Sequence, residues 1–443
     1  MRVEQDYITL FHQAESLINE NTSEILNSRR AQALANFKEQ GFPTRKDERY
    51  LYTDIAPLFE PNYGLNIRRL QIPVNPYKVF RCDVPNLTTS LYFMHNDSFY
   101  HHAQPSLPDG VLFGSLNELS AQYPELVNKF YGRLADTSKD GIAALNTLFA
   151  QDGLLCYIPH GVRIEKPIQL VKILRADVDL MVNRRLLIVL EDNTEASLLM
   201  CDHTMDDVNF LSTQVIEVFV GKGATLRLYG LEETSERSTR LSQLYIRQEA
   251  GSTVQCSDLT LHNGTTRNTS DISLAGKGAT LSLSGMAIAD KRQQIDNYTF
   301  VEHAAPDCTS EELYKYVLDD EAVGAFAGKV LVRPDAQRTS SRQTNRNLCA
   351  TRQARAYSQP QLEIYADDVK CSHGATTGQL DENALFYMKT RGIAEREARL
   401  LLMSAFVNEV IDNISLEALR DRLHLLVDKR FRGELARCKG CSC

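Results

Sequence analysis

The sequence predicts a mainly β protein whose core, residues 151–380, is a right-handed parallel β-helix, flanked by an N-terminal mostly helical region (1–150) and a C-terminal helical domain (381–443). Three observations predict that core. Turn units recur at nearly fixed spacing: Pro167-Ile168-Gln169-Leu170, Glu195-Ala196-Ser197-Leu198, Gly223-Ala224-Thr225-Leu226, Gly251-Ser252-Thr253-Val254 and Gly278-Ala279-Thr280-Leu281 start 28, 28, 28 and 27 residues apart. A second series runs in step with them, as Ile188-Val189-Leu190, Ile216-Glu217-Val218, Leu244-Tyr245-Ile246 and Ile272-Ser273-Leu274, so each repeat holds two strands. Within a unit the apolar residues alternate, for example Ala224, Leu226 and Leu228, which turns one strand face inward.

A unit of this kind cannot bury its apolar face alone; stacked copies make one continuous core. The stretch GKGATLRLYG from Gly221 returns almost unchanged as GKGATLSLSG from Gly276, and the period continues through Pro306 and Pro334 to Pro360-Gln361-Leu362-Glu363-Ile364. A hairpin sandwich is the competing arrangement, with Gly221-Lys222-Gly223 as a tight turn. Regular spacing over many units favours stacking, with Gly-Lys-Gly at the solenoid corners. These turns lack the Gly-Lys-Ser/Thr ending of a nucleotide loop.

The flanks read differently. Ile8, Phe11 and Ile18, then Ile25, Leu26, Arg29, Ala33, Leu34 and Phe37, fall at helical spacing. Between Asp54 and Gln122, turn residues and aromatic clusters such as Tyr92-Phe93 and Tyr100 suggest short strands with irregular connections. After Gly378, Asp381 and Glu382 mark a helix N-terminus and Gly392 a break. The next helix carries Ala394, Ala398, Leu401, Leu402, Ala405 and Phe406 on one stripe, and another from Ser415 carries Leu416, Leu419, Leu423, Leu426 and Val427. These helices are expected both to cap the open end of the solenoid and to dock a partner.

Charge and composition remove several functions. With 49 basic against 57 acidic side chains the net charge is −8, which argues against a nucleic-acid partner. No run of about 18 apolar residues offers a membrane span, and the N-terminus lacks a secretory apolar region, so a cytoplasmic protein is expected. Ten cysteines should then remain thiols. A β-helix carbohydrate-active enzyme is disfavoured by the missing export signal, the cysteines and the absence of tryptophan. A hexapeptide-repeat acyltransferase has too short a period.

Chemistry concentrates between Pro360 and Ile393. Cys371 and His373, two apart on an extended segment, point to one face, where a thiolate and an imidazole can meet a soft metal. Asp367, Asp368 and Lys370 would tune the charge there. A lone Cys-x-His pair is more often a buried thiol beside a hydrogen-bonded histidine. The tail thiols Cys438, Cys441 and Cys443 lack a fourth ligand nearby and read as a reactive terminus rather than a metal site.

Asp367-Asp368-Val369-Lys370-Cys371-Ser372-His373-Gly374-Ala375-Thr376, continuing to Phe386-Tyr387 and Arg391-Gly392-Ile393, resembles the terminal core motif of the SufB/SufD family of SUF iron–sulfur cluster assembly proteins. The glutamine- and asparagine-rich approach from Ala336 to Ile364, the opening Ala144-Leu145-Asn146 with Tyr157-Ile158-Pro159, and the N-terminal Pro43…Glu48…Tyr52-Thr53 are similar to further family motifs. Tyr50 stands where that last motif has tryptophan. Ser372 and Gly374 match the SufD-type form, whereas SufB-type sequences carry glutamate at both positions. The resemblance implies a non-enzymatic scaffold of the SufBCD complex, with ATP hydrolysis in SufC. SufB would pair through the β-helix and SufC would dock on the C-terminal helices. An iron–sulfur cluster would be transient and shared with SufB, none being permanently bound. His373 and Cys371 would be ligands at the SufB interface.

Overall fold

The computed structural model describes residues 3–70, 90–100 and 107–434. Its core is a β-solenoid of eight two-stranded coils, with successive strands contributing alternately to two parallel sheets. One sheet runs from Gly153–Ile158 through Leu180–Leu190 and every second strand to Arg355–Ile364; the other runs from Ile168–Leu174 to Val369–Gly378. Each strand lies beside the strand one coil away in parallel register, which rules out the hairpin sandwich.

The corners explain the turn residues. Gly161, Asn193, Gly223, Gly251, Gly278, Asp307 and Arg338 occupy equivalent positions in seven successive coils, all with positive φ. Each donates its backbone N–H to a carbonyl of the next coil: those of Asp192, Lys222, Ala250, Lys277, Pro306, Gln337 and Asp368. Glycine enters the left-handed region without steric cost, and Asn or Asp tolerates it. Gly-Lys-Gly is thus a corner, as its sequence suggested.

The register departs from a uniform 28-residue period. Glu195 pairs with Thr225 rather than Gly223, Ile188 with Val218 rather than Ile216, and Ile272 with Ile246 rather than Leu244. Each departure is two residues. A slip of two leaves every side chain on its own face, so apolar alternation alone does not detect it.

Between the sheets lies a continuous interior that includes Leu198, Leu226, Val254 and Leu281 from one sheet and Leu186, Ile216, Ile246 and Ile272 from the other. The outer faces are also apolar and are covered. Phe11, Phe37 and Leu145 of the N-terminal helices pack over Met181, Leu211 and Leu241 of the first sheet. The helices Glu395–Ile411 and Glu417–Arg432 lay Val407, Val410, Leu419 and Leu423 over Leu199, Tyr229, Leu259 and Met286 of the second. The expectation that these helices cap the open end is therefore corrected: they lie along the flank, because the second sheet has two apolar faces to bury.

The stripe on Glu395–Ile411 also differs from expectation. Its buried residues are Ala398, Leu400, Met403, Val407, Val410 and Ile411. Of the stripe read from sequence, Ala398 is buried, Leu402 and Phe406 pack partly against the flank, and Ala394, Leu401 and Ala405 are exposed. The run Leu400-Leu401-Leu402-Met403 is apolar all round the helix, so spacing alone does not choose its buried side.

Candidate functional site

At the end of the chain's β-helix, Val369–Gly378 pairs only with Thr339–Cys349, and Arg355–Ile364 only with Val323–Val332. Among the described residues nothing extends either sheet further, so both terminal strands present free backbone edges. The side chains of Val369–Gly378 are mostly exposed and those of Arg355–Ile364 mostly half-buried, in contrast to the almost wholly buried strands of the middle coils.

Cys371 and His373 lie on this last strand and share the inward-facing parity. Cys371 stands beside Ser341 and His373 beside Gln343. The Cys371 side chain packs against the end of the solenoid core and is half-buried. Burial pushes its thiol up, opposed by the backbone N–H of Ser341, so a metal would have to displace a proton to bind there. His373 is exposed. Asp367, Asp368 and Lys370 lie at the adjoining corner and strand start.

The two residues are the outermost members of two polar columns, one rank apart. In the first, Ser310 stands beside Ser341 and Ser341 beside Cys371. The hydroxyls of Ser310 and Ser341 are 2.8 Å apart, and His303 Nε2 is 2.8 Å from Ser310 Oγ. In the second, Glu312 stands beside Gln343 and Gln343 beside His373. Gln343 Nε2 donates to Glu312 Oε1 at 3.0 Å, and Thr299 Oγ1 donates to Glu312 Oε2 at 2.7 Å. Burial pushes the Glu312 carboxyl up to about 7, opposed by those two hydrogen bonds, and burial takes His303 down to about 4. Sequence reasoning missed these inner members, although Ser310-x-Glu312, Ser341-x-Gln343 and Cys371-x-His373 repeat one spacing in three successive coils.

Among the described residues no three His, Cys, Asp or Glu side chains converge as a metal set, so Cys371 and His373 supply at most part of a coordination sphere. Cys156, Cys201, Cys256, Cys308 and Cys349 are buried in the core. The tail Cys438, Cys441 and Cys443 lie outside the described residues.

The N-terminal motif forms a clasp rather than a site. Tyr50, in the tryptophan's place, is buried: its hydroxyl bonds Asp140, and Arg267 lies 4.3 Å from its ring. Arg49 makes a bidentate pair with Asp271 at 2.7 and 2.8 Å. Tyr52 stacks on Tyr357 (centroids 5.1 Å apart) and donates to Gln359 at 3.1 Å, tying the N-terminal region to the last coil.

A two-sheet solenoid with clad flanks, one open end and a thiol and imidazole on that end defines a structural class. Family comparison gives the same class a name. The model of the SUF system FeS cluster assembly SufBD core domain matches residues 173–406, and that of the SufBD protein N-terminal region matches 1–170. The chain belongs to the SufBD family. It is 27% identical to an iron–sulfur cluster assembly SufBD family protein of Synechocystis over 94% of this chain and 93% of the relative. It is 25% identical to the iron–sulfur cluster assembly protein SufD of Escherichia coli over 91% and 92%, and 29% identical to the chloroplastic protein ABCI7 of Arabidopsis thaliana over 86% and 81%. No helix among the described residues is long and apolar enough to cross a membrane.

Proposed function

We propose that this chain is the SufD-type subunit of a cytoplasmic SufBCD complex, a non-enzymatic scaffold beside which an iron–sulfur cluster forms as cargo at the SufB interface. The observation that carries this reading is the placement of Cys371 and His373 together on the last strand, whose outer edge is unpaired among the described residues, where a second solenoid can add its own edge and its own ligands. His373 would supply an imidazole nitrogen to iron, and Cys371 a thiolate that binds or shields the cluster; soft iron–sulfur sites accept both. The cluster would leave with its acceptor, and ATP hydrolysis belongs to SufC. His373→Ala in the anaerobically purified three-subunit complex should leave assembly intact and lower iron and sulfide content. Unchanged iron and sulfide would exclude His373 as a ligand.

SufC docking is assigned to the outward side of the C-terminal helices, where Leu401 and Ala405 are exposed next to the flank-packed Leu402 and Phe406, with Phe386 and Tyr387 exposed on the preceding helix Glu382–Thr390. Deleting these helices would strip the second sheet's apolar flank, so a surface substitution is the cleaner test. Leu401→Asp should weaken SufC capture while leaving the melting temperature unchanged; full capture would move the docking surface elsewhere.

A further inference from the structure

The column that ends at His373 has an unfinished hydrogen-bond account. Gln343 is fully buried, and its Nε2 is held by Glu312 Oε1 at 3.0 Å. At pH 8, above the value of about 7 to which burial raises Glu312, that bond sets which way the amide faces, because turning it over would bring Gln343 Oε1 against an ionised carboxylate oxygen, acceptor on acceptor. The facing strand makes room for the arrangement at Gly328, where a Cβ would lie 2.3 Å from Gln343 Nε2 and 2.8 Å from Thr299 Oγ1. Gln343 Oε1 is left buried without a partner. A buried acceptor to which nothing donates loses its hydration without replacement and destabilises the fold. The next position along the column, toward the open end, is His373, whose exposed ring is free to turn.

We propose that Gln343 is a positioning residue for His373: its Oε1 accepts the imidazole Nδ1–H and leaves the Nε2 lone pair directed to the open end. This rests on the proposed role of His373 as an iron ligand. Nδ1 is the ring nitrogen nearer the backbone, hence the one beside a neighbour in the column, while Nε2 reaches farther toward a partner. A ligating histidine is commonly held in this way by a hydrogen bond from its other ring nitrogen.

The test is the tautomer of His373 in the metal-free, full-length chain, read from its ¹⁵N imidazole shifts at about pH 8, above the ordinary histidine range. The signals are assigned by their loss in His373→Ala. The wild type should show the Nδ1–H form. Gln343→Met should return the ring to the Nε2–H form favoured by an unrestrained imidazole, and Gln343→Glu, which keeps an acceptor, should restore Nδ1–H. A wild-type ring in the Nε2–H form, or no change in Gln343→Met, overturns the proposal. If Gln343→Met does not fold, the wild-type and Gln343→Glu spectra decide it. Iron in the assembled complex is a separate readout, expected to bind about 10- to 100-fold more weakly in the Gln343→Met complex. If the tautomer is as proposed but His373→Ala keeps its iron, it is the ligand role that fails and the hydrogen bond that stands.

Discussion

The two ends of the solenoid solve the problem of a finite stack in opposite ways. At the first end, Ser90–His95 continues the second sheet in parallel and then turns back through the antiparallel Ser98–Phe99, while Leu112–Ser115 lies antiparallel to Gly153–Ile158. At the last end, Val369–Gly378 and Arg355–Ile364 stop with bare edges. The interiors differ in step. Near the sealed end the coils bury full charges: Lys172 Nζ and Arg184 Nη1 hold the two oxygens of Asp202 at 2.8 and 2.7 Å, and Arg240 holds Glu232 at 2.9 Å. Near the open end the buried column members are hydroxyls, an amide and a carboxyl pushed toward its neutral form. Each of these interior charges near the first end has its counter-ion within 3 Å. The open end holds groups that carry no fixed charge or lie close to their neutral form.

This contrast breaks most sharply at Asp202. Burial alone would raise its carboxyl, but Lys172 and Arg184 hold it well below the usual carboxylate range, while burial takes Lys172 down to about 8. Asp202→Ala leaves two cations facing each other in the core and should cost about 3–5 kcal/mol in denaturant unfolding. His373→Ala, on the exposed edge, should cost less than about 0.5 kcal/mol in the same measurement. Comparable losses would mean that the two ends are packed alike.

The sequence showed some of this plainly and concealed the rest for physical reasons. Gly223, Gly251 and Gly278 mark corners because glycine is the residue chosen for positive φ, whereas Arg338 makes the same corner with nothing in its type to announce it. The two-residue register shifts were hidden because strand alternation has a period of two. The flank position of the C-terminal helices was hidden because Leu199, Tyr229 and Leu259 look like ordinary core residues until the sheet is seen to be apolar on both sides. Cys371 and His373 were legible as a pair, since two residues apart on a strand is one face. Their inner neighbours were visible only once the last coils were aligned.

Glu312 gives the next largest effect. Its carboxyl titrates at about 7 when folded against an ordinary 4.5, so the native state holds the proton more tightly than the unfolded chain. Its contribution is fully present below about pH 4.5 and is lost as pH rises through 7, about 3 kcal/mol in all. His303, lowered from 6.5 to about 4, works the other way: the unfolded chain takes the proton first, so stability rises between those values. In the wild type the two trends oppose each other between about pH 4.5 and 6.5. Glu312→Gln removes one of them, and its stability relative to wild type should climb by about 3 kcal/mol between pH 4.5 and 8, read from denaturant midpoints at each pH. A difference independent of pH would show that Glu312 ionises as it does in water and that the last coils are wet.

The smallest expected effect falls where the SufD-type and SufB-type forms part. Ser372 and Gly374 occupy the parity opposite to Cys371 and His373, on the outward face of the last strand, and both are exposed. A Cβ built at Gly374 meets nothing within 4 Å, and Gly374 is not among the glycines with positive φ. Neither packing nor backbone conformation therefore requires glycine here, and a glutamate would stand in solvent. Gly374→Glu should change the unfolding free energy by no more than about 0.5 kcal/mol, as for other surface positions. It would still place a negative charge on the edge where a second solenoid is proposed to pair. A salt-sensitive loss of pairing with stability unchanged would assign glycine at 374 to the choice of partner. A destabilisation of several kcal/mol would instead show that the outward face of this strand is covered within the chain itself, and that the open end is less open than its free edges indicate.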